Sequence, residues 1–314
     1  MRERETLERE SDRLDSEGPF FDRDISREFE GKSDATKGAA DSLSVPLRWV
    51  CLIRLKGKYP DERGSTVKVE KIGTGILVGP RHVLTAAHTL DPFYKMAATQ
   101  FGSIEVLPAH SFSTGLGSDA SANAKSLRVS AAWRAGKKEA EDGNDGYDYG
   151  MIVLGSDQLT TSRHKALSNK PLGYWGHPTF GRCTVFASLD ADFLENKVKT
   201  VYSAGYPPNE DRVWMGTGHL GSVFDKKGTP KRALPHYAMA DLKEKSKGAS
   251  RGPLWLQQGA VRFLLGVNTS VERRENKRID SQRKTITEIV WMGRAARVTL
   301  EMFEEVIGWM HTDP

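Results

Sequence analysis

Cysteine is nearly absent from this chain of 314 residues, which holds two, Cys51 and Cys183. Two thiols allow at most one bridge, so a scaffold held by several disulfides is excluded. The pair falls in opposite halves of the sequence, and two free thiols in a reducing compartment is the simpler expectation. Long apolar runs are missing as well: none approaches the ~18 residues that a membrane-crossing helix needs. The start, Met1-Arg2-Glu3-Arg4-Glu5-Thr6-Leu7, has charges where a secretory signal carries its apolar segment. The expectation is therefore a cytoplasmic protein, or one exported by a non-classical route. Charge of one sign is lacking too. The net +5 is diluted by acids interleaved with bases through residues 2–13, 137–148 and 273–283, and nothing reads as a recognition helix or a basic-aromatic platform. Neither nucleic acid nor a membrane is expected as a partner.

What is present is enough apolar residue, 38%, for a sizeable core, together with 30 glycines for turns. It is unevenly spread. Residues 1–44 are rich in Arg, Glu, Asp, Ser and Gly and offer little to offset chain entropy, so they read as a disordered tail or a pro-like segment that contributes no strand. Their one compact apolar patch is Pro19-Phe20-Phe21, a candidate for docking on the body or on a partner.

From Leu47 the pattern changes. Leu47, Trp49, Cys51, Ile53 and Leu55 alternate with Arg48, Arg54 and Lys56, the period of two of a strand with one wetter face. Ile72-Gly73-Thr74-Gly75-Ile76-Leu77-Val78 meets a Gly79-Pro80-Arg81 turn and returns through His82-Val83-Leu84-Thr85 as a hairpin. Residues 103–107, 127–132 and 151–154 read as further strands, with 111–146 an extended surface region. A second series covers residues 182–189, 197–204, 212–220, 235–240, 253–257, 262–267 and 287–292. Thr299 then caps a helix with Leu300, Phe303, Val306, Ile307 and Met310 on one face. Many short strands with Gly and Pro turns make this an all-β, antiparallel chain.

Two short motifs lie far apart on it: Leu84-Thr85-Ala86-Ala87-His88 and Gly248-Ala249-Ser250-Arg251-Gly252-Pro253-Leu254. Between them runs Tyr147-Asp148-Tyr149-Gly150-Met151-Ile152. A serine hydroxyl is a weak nucleophile at neutral pH and needs an adjacent base, and that base needs a partner that fixes its tautomer and stabilises its cation. Ser250, His88 and Asp148 fit these roles. His82, Asp142, Asp145 and Ser246 are alternatives with poorer flanks. Acyl transfer also needs donors for the oxyanion, which the backbone N–H groups of Gly248 and Ser250 would supply.

The order His, Asp, Ser and the three sets of flanks resemble the trypsin/chymotrypsin-like serine peptidases over residues 46–311. That resemblance implies two antiparallel six-stranded β-barrels with a C-terminal helix and an active site in the cleft between them. Residues 45–160 would carry His88 and Asp148, and residues 161–314 would carry Ser250. It implies a serine endopeptidase acting on a protein or peptide substrate without metal or cofactor. The nearer likeness is to the V8-like, or glutamyl endopeptidase, branch. Ala204-Gly205-Tyr206-Pro207 resembles its Gly-Tyr-Pro segment, and Gly266-Val267-Asn268-Thr269-Ser270 its Gly-Ile-His-Thr-Ser wall. Asn268, Thr269 and Ser270 would line the first substrate pocket, with Glu244 a candidate for its base. The branch's acid-reading histidine is replaced by Asn268, so glutamate preference does not carry over. Ala249 stands where trypsin-like zymogens pair an acid with a freed N-terminus, and Arg251 replaces the small residue after the nucleophile. These departures leave a second reading: a pseudo-peptidase that binds proteins, restrained by Arg251, by a regulatory partner or by its own tail.

Overall fold

The computed structural model describes residues 38–39, 42–60, 66–94, 102–110, 116, 121–138, 143–178, 184–207, 213–238, 252–279 and 285–313. It opens with a two-residue strand, β1 (Gly38–Ala39). One 3-10 turn at Leu47–Trp49 leads into β2 (Val50–Pro60), where Cys51, Ile53 and Leu55 are buried while Lys56 faces water. β3 (Thr66–Gly79) turns through Pro80 and Arg81 into β4 (His82–Thr85), the hairpin read from the sequence. β5 (Ser103–Pro108), β6 (Ala122–Val129) and β7 (Gly150–Leu154) complete a ring of antiparallel neighbours, β2-β3-β4-β7-β6-β5, closed by β5 on β2. β6 starts inside the stretch read as surface and stops earlier than expected. Ser130 ends it, its hydroxyl accepting the Trp133 N–H at 3.5 Å to open the short helix Ala131–Arg134.

The connection between barrels holds a small hairpin of β8 (Arg163–His164) and β9 (Lys170–Pro171), then β10 (Thr184–Phe186) and the helix Ala191–Lys197. The Asp190 side chain caps that helix, which lies between the stretches 182–189 and 197–204 read as strands. β11 (Val201–Gly205), β12 (Trp214–Leu220), β13 (Ala233–Ala238), β14 (Pro253–Gln258), β15 (Val261–Ile279) and β16 (Thr285–Arg297) form the second ring. It runs β11-β12-β13-β16-β15-β14 and closes on β11. β10 pairs parallel with β15 outside this ring, so the stretch 182–189 adds no barrel strand. The result is two closed six-stranded antiparallel barrels with a C-terminal helix, a chymotrypsin-like architecture.

Three indoles join the barrels. Trp49 of the first lies edge-on to Trp175 of the connection at 6.2 Å, and Trp175 to Trp255 of the second at 6.3 Å. Each of these rings is almost wholly buried, and the Trp49 and Trp175 N–H groups donate to the Leu172 and Val185 carbonyls. The termini cross over as well. β1 pairs with β12 of the second barrel, with Ser42 and Ser44 buried and Leu43 packed on the core. The segment 1–44 was expected to add no strand, and Gly38 and Ala39 correct that.

The helix Leu300–Thr312 returns to the first barrel. Thr299 caps it as read, its hydroxyl accepting the Met302 N–H at 3.2 Å. Of the expected face, Val306 is fully buried and Phe303 and Met310 pack on the core; Leu300 is instead 61% exposed, and Met302 points inward. Glu305 accepts from the Tyr149 hydroxyl at 2.6 Å, Arg128 grips the Asp313 carboxylate, and Met310 reaches Gly79 so closely that a side chain there would collide with it. Among the described residues no helix is long and apolar enough to cross a membrane. Cys51 is a free, buried thiol; Cys183 and the tail with Phe20 and Phe21 lie outside the described residues.

Candidate active site

β4 delivers the chain to His88 through residues that must be small. Ala86 and Ala87 are fully buried, and the Thr85 hydroxyl donates to the Thr74 carbonyl at 2.7 Å, tying β4 to β3. His88 is the second residue of the helix Ala87–Tyr94. Opposite, β7 begins at Gly150, where an added Cβ would lie 2.8 Å from the Arg128 carbonyl and 3.1 Å from Leu90 of that helix. The absence of a side chain at Gly150 lets helix and strand approach, and this brings Asp148 to His88.

The two residues meet twice. The His88 backbone N–H donates to Asp148 Oδ1 at 2.8 Å, and His88 Nδ1–H donates to Oδ2 at 2.6 Å. Asp148 is 2% exposed, while the His88 side chain keeps 29% of its surface. An ionised carboxylate only accepts hydrogen bonds, so it fixes the proton on Nδ1 and leaves the lone pair on Nε2, the tautomer of a general base.

The alternatives go elsewhere. His82 is buried beneath the C-terminal helix, its Nε2–H donating to the Asp313 carbonyl at 2.9 Å. Asp145 accepts from the Ser270 hydroxyl at 3.0 Å and from Arg294 Nη1 at 3.3 Å, and burial pushes its carboxyl above the ordinary range against both partners. Asp142 and Ser246 lie outside the described residues, as do Ser250, Gly248, Glu244, Ala249 and Arg251.

The chain resumes at Gly252, and its placement is tight. An added Cβ there would be 1.8 Å from the Ala204 carbonyl and 3.1 Å from the Thr74 methyl. The Gly252 carbonyl accepts from the Asn268 N–H at 2.9 Å. Residue 252 is thus wedged between β11, β15 and Thr74, the residue that anchors Thr85 three positions before His88. Tyr206 tightens the same seam: its backbone N–H donates to the Thr74 hydroxyl at 2.9 Å, and its phenolic oxygen accepts the His110 N–H at 2.8 Å. The Gly-Tyr-Pro segment therefore supplies a bolt between the barrels, a role the sequence did not suggest.

Asn268, Thr269 and Ser270 sit together on β15, each engaged. Thr269 donates to the Arg294 carbonyl at 3.1 Å and Ser270 to Asp145. Asn268 Oδ1 accepts from His236 Nε2–H at 2.9 Å. His236, absent from the sequence reading, is partly buried and packed against Gly293, where any side chain would overlap the ring, and desolvation pushes it down to about 4. The pair is therefore uncharged at neutral pH. A histidine inside the otherwise apolar stretch 233–238 was the available signal for it.

No protein-family model matches the chain, and no curated protein does. A solved structure to which it is similar is that of HL collagenase, with a TM-score of 0.42 and 13% identity, covering 84% of this chain and 94% of that one.

Proposed function

We propose that the protein is a serine endopeptidase of the trypsin-like class. The observation that carries this reading is the His88–Asp148 pair, a half-exposed imidazole held in the base tautomer by a buried carboxylate. In the proposed reaction Ser250 Oγ attacks the peptide carbonyl while His88 Nε2 takes its proton. The Gly248 and Ser250 N–H groups receive the oxyanion, and Asp148 stabilises the imidazolium. His88 then protonates the departing amine, leaving an acyl-enzyme on Ser250. Water, deprotonated by His88, releases the second product.

The Gly205-Tyr206-Pro207 and Gly266–Ser270 segments support the V8-like branch within that class. The neutral Asn268–His236 pair supports a first pocket that takes uncharged side chains rather than glutamate, because it offers an amide and no cation.

The test is covalent labelling by a phosphonate or sulfonyl fluoride probe, with the modified residue located by mass spectrometry and turnover followed on a peptide library. Label is expected on Ser250 and is expected to vanish in Ser250→Ala. Ser250→Ala, His88→Ala and Asp148→Asn should each lower turnover by about 10⁴-fold or more without adding to one another, since they act as one unit. A folded protein that takes no label and cleaves nothing is instead the protein-binding module with this fold.

A further inference from the structure

The 3-10 turn Asp145–Tyr147 ends directly at Asp148, whose N–H donates to the Asp145 carbonyl at 3.2 Å. Each of its three residues faces the second barrel. Asp145 receives Ser270 of β15 and Arg294 of β16, Gly146 lies against the backbone of Arg232, and the Tyr147 ring sits 5.0 Å below the Arg232 guanidinium. A Cβ on Gly146 would come within 2.5 Å of Arg232 Cβ, so the fit admits only glycine. The next residue, Asp148, turns the other way and holds His88 of the first barrel. One short segment thus touches both barrels, and the residue that orients the base lies at its end.

Resting on the peptidase reading, we infer that Asp145, Ser270 and Arg294 are positioning residues: a clasp through which the second barrel sets the placement of Asp148, and with it His88. The Asp145 and Arg294 side chains are 16% and 12% exposed, so solvent screens their attraction weakly. Arg294 also offsets the repulsion between the Asp145 and Asp148 carboxylates, which stand three residues apart. A poorly hydrated ion pair is an inefficient way to stabilise a seam compared with apolar packing, but it is directional. Direction is what a catalytic triad divided between two barrels requires, since displacement of a reacting group by about 1 Å can cost 10²-fold in rate.

The experiment uses the full chain with Asp145→Ala, Arg294→Ala, their double variant, Arg294→Lys and the milder Ser270→Ala. Two readouts are followed: kcat and KM on a cleaved peptide, and the strongly deshielded proton NMR signal of the His88 Nδ1–H···Asp148 hydrogen bond. Either single alanine should lower kcat about tenfold or more with KM changed by less than about twofold. The double variant should be no worse than the poorer single, Arg294→Lys should recover much of the loss, and the NMR signal should move or broaden in the alanine variants. Additive losses, or an unchanged signal and kcat in a folded variant, would overturn the clasp. Should Asp145→Ala not fold, Ser270→Ala decides by the NMR signal alone, because it removes a single neutral hydroxyl from Asp145 and the signal does not depend on substrate. If the unmutated protein cleaves no peptide, the NMR signal decides alone: its displacement upholds the clasp while the peptidase reading fails.

Discussion

At the scale of single residues, His236 gives the chain an acid-sensitive point distinct from His88, the base of the proposed reaction. Its folded pKa is lowered to about 4 by burial, below the ~6.5 of a free imidazole. Between those values the unfolded chain binds more protons, so stability falls as pH falls through that window and is unaffected by this group above it. The gap corresponds to about 3 kcal/mol. Urea denaturation at a series of pH values should show this loss, and His236→Gln should flatten it; the contribution of His82, also lowered by burial, remains in the variant. An unchanged slope in the variant would mean that His236 is not the group responsible. The sequence made His88 and Asp148 legible because each sits in a run of small or apolar neighbours with a local reason to be there. It was silent on His236, Arg294 and Gly293, whose meaning comes from partners on other strands.

At the scale of elements, the hairpin from β3 to β4 and the capped terminal helix were readable, since turn and cap chemistry are local. The exposure of Leu300 and the burial of Met302 were not. Leu300 belongs to the first turn, where the helix has not yet reached the barrel, while Met302 faces inward. Thr299 is the point on which this element starts. Thr299→Ala removes the acceptor for the Met302 N–H and should destabilise the protein by about 1 kcal/mol, read as a shift in urea midpoint at constant slope. Thr299→Ser should restore it. The helix Ala191–Lys197 escaped notice because a few residues carry too little periodicity to separate helix from strand; β10 was read as a strand within 182–189, but its parallel pairing with β15 outside the barrel rests on partners far along the chain.

For the whole molecule, the six-plus-six arrangement followed from the motif resemblance more than from counting strands. The crossing of the two ends could not be read at all, because it rests on contacts between residues far apart in sequence, such as His82 with Asp313. It alters what truncation should do. Removing residues 1–44 discards the β1 pairing and the packing of Leu43, Ser42 and Ser44, whereas removing residues 1–37 leaves these in place. The longer deletion should therefore melt a few degrees below the shorter one in calorimetry, since full burial of a leucine contributes about 1.5–3 kcal/mol and Leu43 is partly buried. Equal melting temperatures would mean that the β1 pairing and the residues after it add nothing to the body.

The clamping of the first barrel by the last helix also has a consequence in time. A ribosome delivers the first barrel long before residues 300–313, and domains made early begin to fold while synthesis continues. Until residues 300–313 emerge, the surface around Gly79, His82 and Tyr149 lacks the helix that covers it, and His82 waits for a carbonyl 231 positions downstream. A nascent chain halted before residue 300 would thus present a sticky, incomplete barrel to chaperones.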